Sequence, residues 1–404
     1  MVDLTTDLCG IQLKNPLIVA SSDASRDIRQ IKQAEQCGAS AVIIKGMLPP
    51  DAVGLSWLLR FYLDPSTKTV CGIAGGHMLS YDQGIDLIKT AKRTTNIKIG
   101  ANIPFIGLEA LDSFVTVAQR AETAGADFIE LNFSPQVSGH AGSHLKAGEL
   151  LSKTDVDMIQ STMEQFPHWV SVGIEATKQA VDIPILAKIC PEGIDVVATA
   201  KIMEIHGADA LDAINIANGS YKIDIFNDGQ LMMTGAQNAA LATAGAPLKP
   251  FAQGIVARIA REVNIPVVGT GGLLNWQDVI EMMMFGATAV SFCTLLLVDG
   301  FEAIGRIESE ISKFMESQKY ERLQDFRGIA LQHLAPSAHA FEFVPAVAEV
   351  REELCTGCGV CLKPAHCLAI EMVDGTAHVR EEDCLGCGTC SVLCPVEAIA
   401  MHEA

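Results

Sequence analysis

Two short phrases alternate without exception along residues 16–293, and this alternation constrains the fold more than any other property of the chain. The first is a glycine that closes a helix-like stretch and leads into an apolar run. It occurs as Gly38-Ala39-Ser40-Ala41, Gly125-Ala126-Asp127-Phe128, Gly207-Ala208-Asp209-Ala210 and Gly286-Ala287-Thr288-Ala289. Stretches such as Phe114–Ala124 and Val196–Ile205 precede it, and glycine suits the left-handed residue just past a helix. The second phrase is Asn or Asp before a β-branched run: Asn15-Pro16-Leu17-Ile18-Val19, Asn96-Ile97-Lys98-Ile99, Asp182-Ile183-Pro184-Ile185 and Asn264-Ile265-Pro266-Val267-Val268. Proline is tolerated at a strand entrance, and unbroken apolar runs suit parallel strands buried on both faces. The phrases predict strands near 16–20, 41–45, 97–101, 127–132, 184–189, 211–216, 266–270 and 289–293. Eight strands alternating with helices imply an α/β fold of the (βα)8 TIM-barrel type, with an open doubly wound sheet as the alternative.

After the eighth strand, Phe301–Ser317 and Glu321–Leu334 read as helices, so the barrel is expected over residues 1–334. Residues 335–350 read as a linker, and a second, small α+β domain of bacterial-ferredoxin type is expected over 351–404. Eight of the 13 cysteines fall in the last 50 residues. With no basic region and apolar run behind Met1-Val2-Asp3-Leu4, a cytoplasmic chain is expected, and there such crowding points to metal in preference to disulfides. Cys384-x2-Cys387-x2-Cys390-x3-Cys394-Pro395 matches the bacterial ferredoxin run in full, whereas zinc favours separate Cys-x2-Cys pairs. The other half, Cys355-x2-Cys358-x2-Cys361-x5-Cys367, has a longer last gap. The fourth cysteine of each run ligates the other cluster. One 4Fe–4S cluster is therefore expected on Cys355, Cys358, Cys361 and Cys394, and a second on Cys384, Cys387, Cys390 and Cys367.

In a parallel barrel, chemistry sits at the C-terminal strand ends. Those positions hold Ser21-Ser22, Lys45, Asn102, Asn132-Phe133-Ser134, Lys188, Asn215, Gly271-Gly272 and Cys293-Thr294. Lys45 and Lys188 each close an apolar run, where an ammonium needs a partner or a lowered pKa. One such lysine reads as snorkelling to the surface; two at matching positions point to a flavin ring or an anionic substrate. Thr270-Gly271-Gly272 and Cys293-Thr294 follow strands seven and eight, where backbone N–H groups of barrels commonly converge on phosphate.

These residues carry a resemblance that covers nearly the whole chain. Lys14-Asn15-Pro16-Leu17 with Ala20-Ser21-Ser22, Ile44-Lys45, Glu130-Leu131-Asn132-Phe133-Ser134-Pro135, Ala187-Lys188, Asn215, Gly271-Gly272 and the closing cysteines resemble the dihydroorotate and dihydropyrimidine dehydrogenase flavin barrels. The likeness is greatest to the bacterial dihydropyrimidine dehydrogenase catalytic subunits, whose barrel precedes a two-cluster ferredoxin domain. The resemblance implies FMN as cofactor. Lys188 then lies near the pyrimidine side of the flavin, which Lys45, Asn102 and Asn132 line, with Ala20, Ser21 and Asn215 in the same binding set. Gly245, Gly271, Gly272, Cys293 and Thr294 hold its phosphate, and Asn132 and Asn215 face the substrate.

Two departures from the family touch the substrate and leave the FMN positions alone. Members carry Asn-x-Ser-Cys-Pro or Asn-x-Ser-Ser-Pro at strand four, the second Cys or Ser being the acid–base residue. Here the run is Asn132-Phe133-Ser134-Pro135-Gln136, one residue short. Ser134, and His140 and His144 in the Gly/Ser-rich loop that follows, are the candidate replacements. An asparagine that members supply to the pyrimidine is not evident in Trp57–Gly76.

The implied activity is FMN- and iron–sulfur-dependent oxidoreduction of a CH–CH or C=C bond in a small, pyrimidine-like substrate, with electrons passing between the clusters and FMN. The alternative is an electron-transfer subunit whose flavin is a relay. No Gly-x-Gly-x-x-Gly fingerprint follows a strand, so a ferredoxin or an FAD- and NAD(P)H-oxidising subunit is the expected redox partner. Ten acids and three bases in residues 349–404 suit a basic redox partner, or equally a merely solvated surface. A net charge of −19 argues against nucleic acid, and no apolar run is long enough to span a membrane. Dimerisation is common in the family, so a homodimer or hetero-oligomer is expected.

Overall fold

The computed structural model describes residues 2–49, 61–73, 78–133, 152–191, 194–218, 222–232, 241–334 and 344–403. Two compact units are present, Met1–Gln332 and His333–Ala404. In the first, eight parallel strands close a barrel in chain order: β1 (Leu17–Val19), β2 (Ala41–Ile43), β3 (Lys98–Pro104), β4 (Phe128–Phe133), β5 (Ile185–Ile189), β6 (Ala210–Ala213), β7 (Val267–Thr270) and β8 (Ala289–Phe292).

The repeated phrases explain how neighbouring units lock together. Gly38, Gly125, Gly207 and Gly286 have φ between 98° and 104°. Each donates its N–H to the carbonyl three residues back, and the following alanine donates to the carbonyl five residues back. This is the paired bonding of a helix closed by a left-handed residue. In three units the residue three before the glycine is a glutamate, and its carboxylate accepts the N–H of the second phrase of the next unit. Glu35 takes Asn96, Glu122 takes Asp182 and Glu204 takes Asn264, at 2.6, 2.7 and 2.6 Å. The aspartate of Gly-Ala-Asp caps the preceding strand in turn: Asp127 accepts the N–H of Ile99 and Asp209 that of Ile185, each at 2.8 Å.

Side chains alternate across a strand, so every second residue shares a face. At the N-terminal end of the barrel Ile18, Ala41, Phe128, Leu186, Ala210, Val268 and Ala289 pack together, and Leu8, Ile11 and Leu13 of the hairpin Thr6–Leu8/Ile11–Leu13 join them as a plug. Room for the Phe128 ring comes from Gly100 on β3, where a Cβ would stand 2.3 Å from the ring. Two residues further along each strand the interior changes character, as described below.

Glu321–Leu334 is not one helix. It forms 3-10 turns at Leu323–Asp325 and Ile329–His333, separated by Gly328 at φ 75°. The Asp325 carboxylate also accepts the N–H groups of Glu321 and Arg322, which favours a turn.

In the second unit, Ala346–Val350 pairs antiparallel with Ile399–Glu403, and Ile370–Val373 with Thr376–Val379. The linker expected over 335–350 is therefore partly strand, because Ala348 packs with Cys361, Ala377, Cys390 and Ile399 in the small core. Residues 335–343 lie outside the described set. Gly357 and Gly386, at φ 68° and 66°, occupy equivalent turns in the two cysteine runs, and each presses on a backbone carbonyl, of Gly375 and Ala346 respectively.

Gly100→Ala is expected to destabilise the barrel by about 1–3 kcal/mol through the clash with Phe128. Chemical denaturation checks it, and Phe128→Leu in the same chain should recover part of the loss.

Candidate functional site

The second interior layer of the barrel is polar in six of eight strands. Asn102 (β3), Glu130 (β4), Lys188 (β5), Asp212 (β6), Thr270 (β7) and Ser291 (β8) form one chain of hydrogen bonds, and none is more than 8% exposed. Lys188 Nζ lies 2.7 Å from Asp212 Oδ2 and 3.3 Å from Glu130 Oε1. Asn102 Nδ2 donates to Glu130 Oε2, and the Thr270 hydroxyl bonds Asp212 Oδ1 and, at 2.6 Å, Ser291 Oγ. Each strand contributes its residue at the same depth, so the chain of bonds runs from neighbour to neighbour across β3 to β8.

Electrostatics follow from that burial. Burial by itself pulls the Lys188 ammonium down, but Asp212 and Glu130 outweigh it and hold it above the ordinary lysine value. Burial pushes the Glu130 carboxyl well above the carboxylate range; Lys188 pulls it back, while Asp212 adds to the rise.

Above this layer stand the residues at the strand ends. Lys45 Nζ bonds Asp23 Oδ2 at 3.1 Å, both side chains being only 10% exposed, and its backbone N–H donates to Ser25. Asp23 follows β1 in a turn capped by Ser22, while the Ala20 N–H donates to Phe292 on β8. Ser21 is half-buried beside them. Lys45 and Lys188 thus sit at different depths and in different ion pairs, where matching positions were expected. Burial pushes the Cys293 thiol up, and both lysines pull it the other way, which puts Cys293 within the field of each. Asn215 Nδ2 donates to Asn132 Oδ1 at 3.0 Å, joining the ends of β6 and β4.

A tight backbone cradle adjoins these groups. Leu241–Gly245 runs antiparallel to Thr69–Ile73, which brings the excursion after β6 against that after β2. Gly245, Gly271 and Gly272 have φ of 91°, 125° and 74°. A Cβ on Gly272 would fall 2.8 Å from the Gly245 carbonyl and 2.5 Å from the Lys249 nitrogen, and one on Gly245 would meet Lys68 O at 2.2 Å and the Thr294 methyl at 3.3 Å. Backbone kept bare by glycine at the ends of β7 and of the excursion after β6 fits a phosphate-bearing group. Ser134, His140 and His144 lie outside the described residues.

In the second unit the cysteines divide as their spacing predicts. Cys355, Cys358, Cys361 and Cys394 line one pocket; Cys367, Cys384, Cys387 and Cys390 line another. Among the described residues no three His, Cys, Asp or Glu side chains converge as on a single ion. Four thiols around a cavity fit a polynuclear cluster. The Thr389 hydroxyl and then His366 pull the Cys387 thiol down to about 7.

Comparison with known proteins gives this geometry its family. A model for dihydroorotate dehydrogenase matches residues 3–315, and a model for a 4Fe–4S binding domain matches residues 377–400. The chain belongs to the dihydroorotate dehydrogenase family. It is 28% identical over 333 residues to a dihydroorotate dehydrogenase B (NAD(+)) catalytic subunit of Thermoplasma acidophilum, covering 82% of this chain and 100% of that one. To the NAD-dependent dihydropyrimidine dehydrogenase subunit PreA of Escherichia coli it is 24% identical over 371 residues, 89% of this chain and 84% of the other. It is an oxidoreductase with a flavin-family barrel and a 4Fe–4S ferredoxin region, as the sequence implies. No helix among the described residues is long and apolar enough to cross a membrane.

Within this dihydroorotate dehydrogenase barrel, the strand-end residues emerge from sequence reasoning, but the anions beneath them do not. Glu130 and Asp212 were missed as members of the site. Their signal was a carboxylate inside an unbroken apolar run, Phe-Ile-Glu-Leu and Ala-Leu-Asp-Ala, one register step from a lysine-bearing strand.

Because the Glu130 carboxyl is raised on folding, folding takes up a proton there. That stability is present below the ordinary carboxylate pKa and is lost as pH rises through the raised value. Thermal melts should therefore fall as pH climbs from acidic to alkaline, and Glu130→Gln should flatten the slope. Lys188→Ala, which strands buried Asp212, is expected to cost about 3–5 kcal/mol by denaturant titration.

Proposed function

We propose that the chain is an FMN- and two-cluster iron–sulfur oxidoreductase acting on a CH–CH or C=C bond of a pyrimidine-like substrate. The observation that carries this reading is the Asn132–Asn215 pair, which stands above the ion-paired Lys188 layer with the glycine cradle beside it. In this reading Gly245, Gly271, Gly272, Cys293 and Thr294 surround the FMN phosphate. Ala20, Ser21, Lys45, Asn102, Asn132 and Lys188 face the flavin, and Asn132 and Asn215 orient the substrate. Bound FMN would supply hydride exchange with a carbon and one-electron exchange with the clusters.

The chain's own part is electrostatic and positional. Lys188 offers an ammonium fixed by Asp212 and Glu130 in its own layer, which hold it charged well above neutrality. The Asn132–Asn215 bond constrains both side chains to one orientation. Ser134, His140 and His144 are the candidates for moving the proton that accompanies hydride transfer. Cys355, Cys358, Cys361 and Cys394 hold one 4Fe–4S cluster, and Cys384, Cys387, Cys390 and Cys367 the other. Both relatives named above are themselves subunits by name, which supports a separate protein as electron donor or acceptor.

An anaerobic assay with reduced viologen, offering uracil, thymine and orotate, tests the reading. Substrate-dependent dye oxidation is expected from protein carrying FMN and about eight irons per chain. Asn215→Ala should lower kcat/KM by about 10²-fold or more, since a pyrimidine carbonyl or N–H would lose its partner. Absence of turnover with every group in place would favour the relay reading, to which the shortened strand-four motif lends support.

A further inference from the structure

The longer gap between Cys361 and Cys367 places a histidine beside the opposite cysteine run. His366 Nε2 lies 3.3 Å from Cys387 Sγ. His366 immediately precedes Cys367, and a turn closed by the Cys367 N–H on the Pro364 carbonyl, at 3.1 Å, fixes its backbone. We propose that His366 is a potential-setting donor: its ring N–H bonds the Cys387 thiolate and raises the reduction potential of the cluster held by Cys367, Cys384, Cys387 and Cys390 above that of the other cluster. This rests on the two-cluster reading given above.

The argument is one of asymmetry between two otherwise matched half-sites. Cys355, Cys358 and Cys361 repeat 29 residues on as Cys384, Cys387 and Cys390. Thr389 bonds Cys387 at 3.4 Å from two residues after it, and the first run also carries a threonine near its middle cysteine, Thr356, two residues before Cys358. Backbone amides serve the first site as well, Ala377 N at 3.5 Å from Cys355 Sγ and Ala398 N at 3.2 Å from Cys394 Sγ. The two halves differ at the residue before the crossing cysteine. It is Leu393 before Cys394, which has no side-chain donor, and His366 before Cys367, which has one. The two-residue longer gap that makes the first run irregular is what gives that histidine its reach.

A donor to a ligand sulfur stabilises the extra negative charge of the reduced cluster, and such bonds are among the determinants of iron–sulfur potentials. The neutral ring suffices, in the tautomer that carries its proton on Nε2. The added electron then resides preferentially on one cluster, which gives the pair a polarity.

The test is an EPR-monitored redox titration of the full-length protein with both clusters assembled. His366→Phe should lower one cluster's midpoint by the equivalent of about tenfold in equilibrium constant, about 59 mV for a one-electron couple, and leave the other unmoved. His366→Gln, which keeps an N–H at a similar reach, should restore most of the shift. Unchanged midpoints in the Phe variant would overturn the proposal. A second measurement needs no variant: in wild-type protein labelled with 15N-histidine, pulsed EPR should detect nitrogen coupling to a reduced cluster, and its absence overturns the proposal equally. Iron analysis comes first and separates the two levels, since wild-type protein with only one cubane would overturn the two-cluster reading and the inference with it.

Discussion

The ammonium of Lys188 cannot be buried on a strand of a closed barrel unless anions come from the strands on either side. Glu130 and Asp212 meet that demand, and Asn102, Thr270 and Ser291 then satisfy the remaining carboxylate oxygens. A polar interior layer half-satisfied would cost more than an apolar one; satisfied throughout, it fixes the register of six strands at once. The strand-end groups inherit their positions from it, because Asn132, Gly272 and Cys293 each lie two residues beyond a member of this layer, Asn132 on the same strand and the other two just past the strand's end.

The rest of the barrel is arranged so that this layer can exist. Apolar packing is concentrated at the N-terminal end, where the hairpin plug and Phe128 exclude water from below. The connections between units are handled outside, by glutamates near helix ends that reach the next strand's entrance. The barrel's own stability is thus separated from its chemical end, and strand-end residues are free to be chosen for binding.

The ferredoxin unit solves a similar problem by duplication. Left-handed Gly357 and Gly386 let the chain turn back so that thiols from both runs reach each cavity. Crossing over of Cys367 and Cys394 ties the halves to each other, so neither cavity is complete without the other run. The duplication is imperfect where the first run is longer, and that is where a side chain found in one half alone approaches the Cys387 sulfur.

The sequence by itself determined the number and order of the barrel strands, since the Gly-Ala helix end and the Asn or Asp before a β-branched run recur in alternation along the chain and are legible in each segment by itself. The sequence also points to the grouping of cysteines that line the two cavities, Cys355, Cys358 and Cys361 with Cys394, and Cys384, Cys387 and Cys390 with Cys367. It also named Lys45, Asn132, Lys188 and Asn215, because a polar group closing an apolar run is visible without coordinates. The reading of Glu321–Leu334 as a helix and of 346–350 as linker failed where a distant partner decides, a carboxylate at the turn in one case and the strand Ile399–Glu403 in the other. What only the tertiary structure decided is who stands across from whom: that Lys45 pairs with Asp23 and Lys188 with Asp212 and Glu130, at different depths. Pairings between residues 22 to 58 positions apart are set by barrel register, and register exists only once the sheet has closed.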